Sequence, residues 1–119
     1  VLLGAYKLRA FELADEVALL TYKFTSGFPR EEQFDLTSQM RRAAVSVPSN
    51  FVEGCGRDSD ADFVRFLDMA YGSLRELEYQ TSLATRLGFA PAESELPDRL
   101  IETSKVLAAL IRSRRKPNS

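Results

Sequence analysis

Ser38-Gln39-Met40-Arg41-Arg42-Ala43-Ala44-Val45-Ser46-Val47-Pro48-Ser49-Asn50-Phe51-Val52-Glu53-Gly54 is the stretch whose reading decides the fold. Met40, Ala44, Val47, Phe51 and Gly54 recur in steps of four, three, four and three, which is one face of a helix. The phase survives Pro48. Proline inside a helix removes a hydrogen bond and clashes with the carbonyl four residues back, at a cost of ~3 kcal/mol. A kept phase therefore predicts a continuous helix, kinked at Pro48. Beside the apolar stripe runs a second one, Gln39, Ala43, Ser46, Asn50 and Glu53, and only Ala43 in it is apolar. This helix carries an organised polar seam next to its core face.

Working outward, the pattern repeats. Ala10, Leu13, Ala14, Val17, Leu20, Thr21 and Phe24 form the inner face of a first helix over about Tyr6 to Ser26. Gly27 stands where a left-handed C-cap is wanted, and Pro29 blocks continuation. The link from Phe28 to Phe34 has room for one short helical turn. Asp35 is placed to cap the second helix, which runs to about Cys55. Ser59-Asp60-Ala61-Asp62 reads as a variant capping box. It opens a third helix with Phe63, Phe66, Leu67, Ala70, Leu74, Leu77, Thr81 and Ala84 inward, ending at Gly88. A fourth helix starts between Ala92 and Asp98, because Pro97 fits only a first turn. Its face is Leu100, Ser104, Leu107 and Ile111. Four amphipathic helices with short links predict an all-α, antiparallel up-down-up-down four-helix bundle, with 1–119 as one domain.

Composition narrows the function classes. The chain has 119 residues, no His, no Trp, one Cys and a net charge of -1. Without His, the Glu-x-x-His metal motif of such bundles is impossible. Glu53, Glu76 and Glu78 are the only carboxylates placed for a hard ion, and that ligand set is poor. Cys55 has no His to activate it. Gly54-Cys55-Gly56 follows no strand and so is no phosphate loop. The expectation is a protein with no catalytic, cofactor-binding or metal-binding residues. Glu78 sits at the edge of the third helix's apolar face and needs a partner. Arg41, Arg42 or Asn50 of the second helix are the expected ones, in a structural polar network of Gln39, Ser46, Asn50, Glu53, Glu76 and Glu78. A single cysteine suits a reducing compartment, hence the cytoplasm. No apolar run approaches the ~20 residues that cross a bilayer, so no membrane partner is expected. Val1-Leu2-Leu3-Gly4 is too short and uncharged for a signal peptide, and the missing Met implies that a few residues precede it.

Two surfaces remain. Val45, Pro48 and Val52 lie away from the core face of the second helix. Met69, Tyr79 and Leu83, with Gly72 among them, do the same on the third. Apolar residues on two faces predict self-association. The basic residues fall into Arg41 with Arg42 and a tail cluster, Arg112, Arg114, Arg115 and Lys116. Either group can meet phosphates, the tail being the first candidate, or merely complement a helix C-terminus.

The residues also resemble a known family. Ser38-Gln39-x-Arg41-Arg42-Ala43-x-x-Ser46-x-Pro48-x-Asn50-x-x-Glu53-Gly54 is similar to the central motif of the 23S rRNA intervening-sequence protein family. Phe28-Pro29 with Glu31-Glu32, Gly56-Arg57-x-Ser59-x-x-Asp62-Phe63-x-x-Phe66-Leu67, Gly72-Ser73-Leu74-x-Glu76-Leu77-Glu78 and Leu87-Gly88 extend the resemblance over about Tyr6 to Phe89. It implies a cytosolic bacterial protein, an antiparallel four-helix bundle and a homopentameric ring. A related branch, the accessory protein of diversity-generating retroelements, binds nucleic acid and a reverse transcriptase through a basic ring surface. The leading expected function is weak, sequence-independent contact with RNA or DNA. The alternative is a scaffold or accessory subunit for a partner protein, with no nucleic-acid contact.

Overall fold

Each apolar stripe becomes one wall of a shared core. The computed structural model of the chain describes residues 2–115, without the side chains of 2 and 3. They form α1 (Leu2–Thr25), a single 3-10 turn (Arg30–Glu32), α2 (Leu36–Cys55), α3 (Asp60–Arg86) and α4 (Leu96–Arg114), with no strand among the described residues. α1 packs on α2 and α4, and α3 packs on α2 and α4, while the diagonal pairs stay apart at the backbone. The four axes thus sit at the corners of a square prism, 50 × 24 × 22 Å overall. Cross-helix pairs show the directions. Thr25 meets Arg41 while Phe11 meets Phe51, so α1 and α2 run oppositely. Ser46 meets Ser73 and Gly54 meets Phe66, which reverses α3 against α2. Ser104 meets Glu78 and Arg114 meets Asp60 between α3 and α4. Arg9 meets Glu102 and Arg99 meets Glu16 between α4 and α1.

α2 runs unbroken through Pro48. Its inward residues Met40, Ala44, Val47 and Phe51 are buried, as the phase requires. The helix ends are less regular than expected. Asp35 does precede α2, and its carbonyl accepts the Gln39 N–H at 2.9 Å. Its carboxylate makes no cap, because the Gln39 side-chain amide one turn on takes it at 2.9 Å. Gly27 is not left-handed; Gly88, φ 80°, is the described residue that is. The chain leaves α1 through a turn in which the Phe28 N–H donates to Thr25 O. That turn folds Phe28 back onto Phe24 and Phe89, with centroids 5.7 Å apart in each pair. α3 opens with Ser59 Oγ accepting the Asp62 N–H at 3.1 Å, while the Asp62 carboxylate turns to Arg65. It closes in a Schellman motif: Phe89 N–H donates to Ala84 O and Gly88 N–H to Thr85 O. Pro97 lies in the first turn of α4, as expected. Thr103, not Ser104, faces the core there, and its hydroxyl donates to Arg99 O at 2.6 Å.

At Gly54 α2 comes close to α3. A Cβ at this position would lie 2.9 Å from Phe66 Cβ and 3.1 Å from Phe63 Cδ1. Overpacking of that kind costs about 1–3 kcal/mol, against a helix-propensity gain of at most ~1 kcal/mol. Gly54→Ala is therefore expected to lower the urea midpoint, with a net loss of up to about 2 kcal/mol. An unchanged midpoint would show that α3 yields there freely. Pro48 cannot donate to the Ala44 carbonyl, which sits in the core. Pro48→Ala restores that bond and is expected to stabilise the isolated subunit by up to about 3 kcal/mol, read from the same unfolding curve.

Candidate anion-binding cleft

Seven arginines end in ion pairs: Arg9, Arg57, Arg65, Arg75, Arg99, Arg114 and Arg115. Arg99 is the most engaged, holding Glu16 at 2.7 Å and reaching Glu102 and Glu95. The Glu16 hydrogen bond and charge raise its pKa above the ordinary arginine value. The tail arginines expected to lead a phosphate surface are partly occupied. Arg114 pairs with Asp60 at 3.4 Å and lies over the Phe63 ring at 5.4 Å, its side chain only 20% exposed. Arg115 grips both oxygens of Asp68 at 3.0 and 3.1 Å. The acids at the start of α3 thus clasp the last turn of α4. Arg112 is exposed, and Lys116 lies outside the described residues.

Arg41 and Arg42 form no ion pair among the described residues. Arg41 lies on the α1 side of α2. Its Nε donates to Thr25 Oγ1 at 2.9 Å, and one terminal nitrogen reaches Tyr22 O at 3.5 Å. Thr25 Oγ1 in turn donates to Thr21 O. The guanidinium therefore tops the C-terminus of α1, where a cation complements the macrodipole. It also lies 4.6 Å from the centroid of the Tyr22 ring, a cation–π contact. Arg42 points outward, with one hydrogen bond, to Ser38 Oγ at 3.1 Å. The two frame a cleft of about 520 Å³ lined by Tyr22, Gln33, Thr37, Ser38, Arg41, Arg42 and Val45. No carboxylate lines it. An arginine carries five N–H donors, so most of those on this pair have no partner among the described residues.

The expected polar network is real in part and divides differently. Ser46 Oγ and Ser73 Oγ are 2.7 Å apart, and Asn50 Nδ2 donates to Ser46 O and Oγ. Gln39, Arg42, Ser46 and Glu76 line one groove between α2 and α3, with no ion pair between Arg42 and Glu76. Glu78 is not served by Arg41, Arg42 or Asn50. Its carboxylate faces α4, accepting from Ser104 Oγ at 3.1 Å with Arg75 at 3.9 Å. The reason is rotation: α3 turns residue 78 toward α4 and residue 73 toward α2. Glu76 accepts from Gln80, and exposed Glu53 pairs with Arg57. No group of three acidic, Cys or His side chains suited to a metal occurs among the described residues, and Cys55 is free and exposed. Among the described residues no helix is long and apolar enough to cross a membrane. Of the apolar surface residues, Val45, Val52, Met69 and Tyr79 are exposed, whereas Pro48 is half-buried and Leu83 is half-buried against the core.

Tyr22, Thr25, Gln33, Thr37 and Ser38 were not singled out in the sequence as neighbours of the arginine pair. The signal was weak but present: Tyr22 and Thr25 are three apart on α1, and the antiparallel reading puts them opposite the start of α2.

No curated protein matches the chain. Among solved structures, a protein of unknown function from the S23 ribosomal protein family of Bacteroides thetaiotaomicron superposes with a TM-score of 0.71 at 23% identity. The alignment covers 94% of this chain and 99% of that one, so the two share a fold. The pattern of the 23S rRNA-intervening sequence proteins matches residues 6–109, nearly all of the four helices, and the chain belongs to that family.

Proposed function

We propose that this protein is a non-catalytic, self-associating bundle of the bacterial cytoplasm that holds RNA or DNA weakly, without sequence specificity, through phosphate contacts. The observation that carries this reading is the Arg41–Arg42 cleft. Two adjacent arginines without an ion pair frame a cleft that has no carboxylate in its lining, the nearest acidic groove being the one Arg42 shares with Glu76, although acids outnumber bases in the chain as a whole. Elsewhere the arginines are mostly neutralised locally. Arginine is the side chain best shaped for phosphate oxygens. One such cleft binds weakly, and repetition around an assembly makes weak sites act together. Arg112, Arg114, Arg115 and Lys116 become the secondary candidates, because Arg114 and Arg115 already answer Asp60 and Asp68.

Self-association has its own support. Gly72 stands in the middle of α3, and a Cβ there would meet nothing within 4 Å beyond its own stretch of helix. A mid-helix glycine costs ~1 kcal/mol relative to alanine, and its own subunit gains nothing from it. Exposed Met69 and Tyr79 flank it on the same outer face, and Val45 and Val52 add apolar surface on α2. A surface that lacks a side chain between two large apolar ones suits close approach by another helix. The family resemblance points to five copies.

Two measurements test these readings. Static light scattering at tens of micromolar is expected to return an oligomer, most simply a pentamer. Gly72→Leu should reduce that mass while circular dichroism keeps its helical signal; a monomeric wild type, or a variant of unchanged mass, refutes the interface. For nucleic acid, Arg41→Ala with Arg42→Ala is expected to flatten the slope of log affinity against log salt by at least ~1.4 units. Arg114→Ala with Arg115→Ala should change that slope little and cost roughly 1 kcal/mol of stability by releasing the α4 clasp. An intact protein with no salt-dependent binding to single or double strands would pass the function to a protein partner.

A further inference from the structure

We infer that the Arg41–Arg42 cleft takes an unpaired nucleotide, its phosphate on the arginine pair and its base stacked on the Tyr22–Arg41 layer, so that single strands bind in preference to duplexes. This rests on the nucleic-acid reading above and adds the class of strand. Tyr22 is 46% exposed although one face of its ring is covered by the Arg41 guanidinium. That guanidinium is held at two of its nitrogens by the last turn of α1, by Thr25 Oγ1 at 2.9 Å and Tyr22 O at 3.5 Å. The Tyr22–Arg41 contact is therefore formed before any ligand arrives, and part of the side-chain freedom is already lost. Arginine planes and tyrosine rings are the surfaces on which splayed-out bases stack. At about 520 Å³ the cleft falls within the usual range of small-ligand sites, ~300–1,000 Å³. Gln33 lies at its edge with a side-chain amide that has no hydrogen-bond partner among the described residues, a tolerant contact for any base edge.

The geometry disfavours a duplex. In a paired helix the bases are stacked inside and only phosphates and groove edges are offered. A recess between α1 and α2 can touch such a rod at its rim, but the Tyr22–Arg41 layer is left idle. Charge alone would not choose between strands; the stacking layer does. The chemistry also sets the response to solution conditions. No His is present anywhere in the chain, and the cleft's cations are arginines. Binding should therefore weaken steeply with salt yet stay flat between about pH 6 and 8.

The experiment is fluorescence anisotropy with a labelled oligouridine, a labelled oligoadenosine and a duplex of the same length, all at one salt concentration. The expected order is single strands above duplex, with oligoadenosine at least equal to oligouridine because purines stack better. Tyr22→Leu should lower single-strand affinity roughly 5- to 150-fold and leave the duplex unchanged. Tyr22→Phe, which keeps the ring, should restore single-strand binding, and both variants should match the wild type in circular dichroism. Equal binding of strand and duplex, or an equal loss for both in Tyr22→Leu, overturns the stacking site while leaving phosphate binding intact. Loss in the arginine variants alone, with Tyr22→Leu unaffected, does the same. Absence of binding to all three probes defeats this inference together with the reading beneath it.

Discussion

The contact between Gly54 and Phe66 governs the rest of this bundle. With hydrogen alone at position 54, α2 comes close enough for the Phe66 Cβ to fill the place of a side chain. The link between the two helices is only four residues, 56–59, so this contact and the turn together fix how α2 lies against α3. Further along the same seam, Ser46 and Ser73 meet at hydrogen-bonding distance, 2.7 Å. That bond requires the helices to stay close over two more turns. Once α2 is fixed in rotation, Met40, Ala44 and Val47 face inward and Arg41 is carried over the end of α1. The cleft is thus a consequence of the α2–α3 seam.

Aromatic residues close the two ends of the prism. At one end Phe11, Phe51 and Phe63 form a chain with centroids 5.8 and 6.0 Å apart. At the other, Phe24, Phe28 and Phe89 do the same. Between them the core is aliphatic apart from threonines and Gln80. Thr21, Thr25 and Thr103 are buried, and each satisfies its hydroxyl on the carbonyl one turn back. A hydroxyl tied down in that way adds no demand on a neighbouring helix, so register is set by shape and by the few cross-helix bonds. Gln80 and Thr81 are exceptions, each with a buried oxygen that has no protein partner.

Periodicity made the helices legible, because burial obeys it: every inward residue named for α3 is buried. Continuity through Pro48 was legible for the same reason. Helix ends were harder. Asp35 and Gly27 have the right residue types for caps, but a cap forms only if no nearer partner competes. Gln39 competes for Asp35, and Phe28 pulls the chain away from the left-handed turn at Gly27. On α4 the sequence placed Ser104 inward where Thr103 stands, an error of one position that both small polar residues permit. The candidate site was legible as residue types and not as partners. Arg41 and Arg42 were visible, but pairing them with Glu78 failed because helix rotation places that carboxylate beside Ser104. The ion-pair partners of the tail arginines were equally illegible, because Asp60 and Asp68 are some fifty residues away in the chain and adjacent in space.

Phe63 has one more property. Lys7 of α1 lies over its ring at 5.0 Å, and Arg114 of α4 at 5.4 Å. The first and last helices therefore begin and end at a single side chain, at the end of the prism that also carries the α2–α3 turn. A bundle whose first and fourth helices lie together at one pole can have them joined there and be opened at another loop without disturbing its core. New ends in the α1–α2 link or the α3–α4 link would emerge at the opposite pole, beside the cleft, so the same bundle can be tethered from either side.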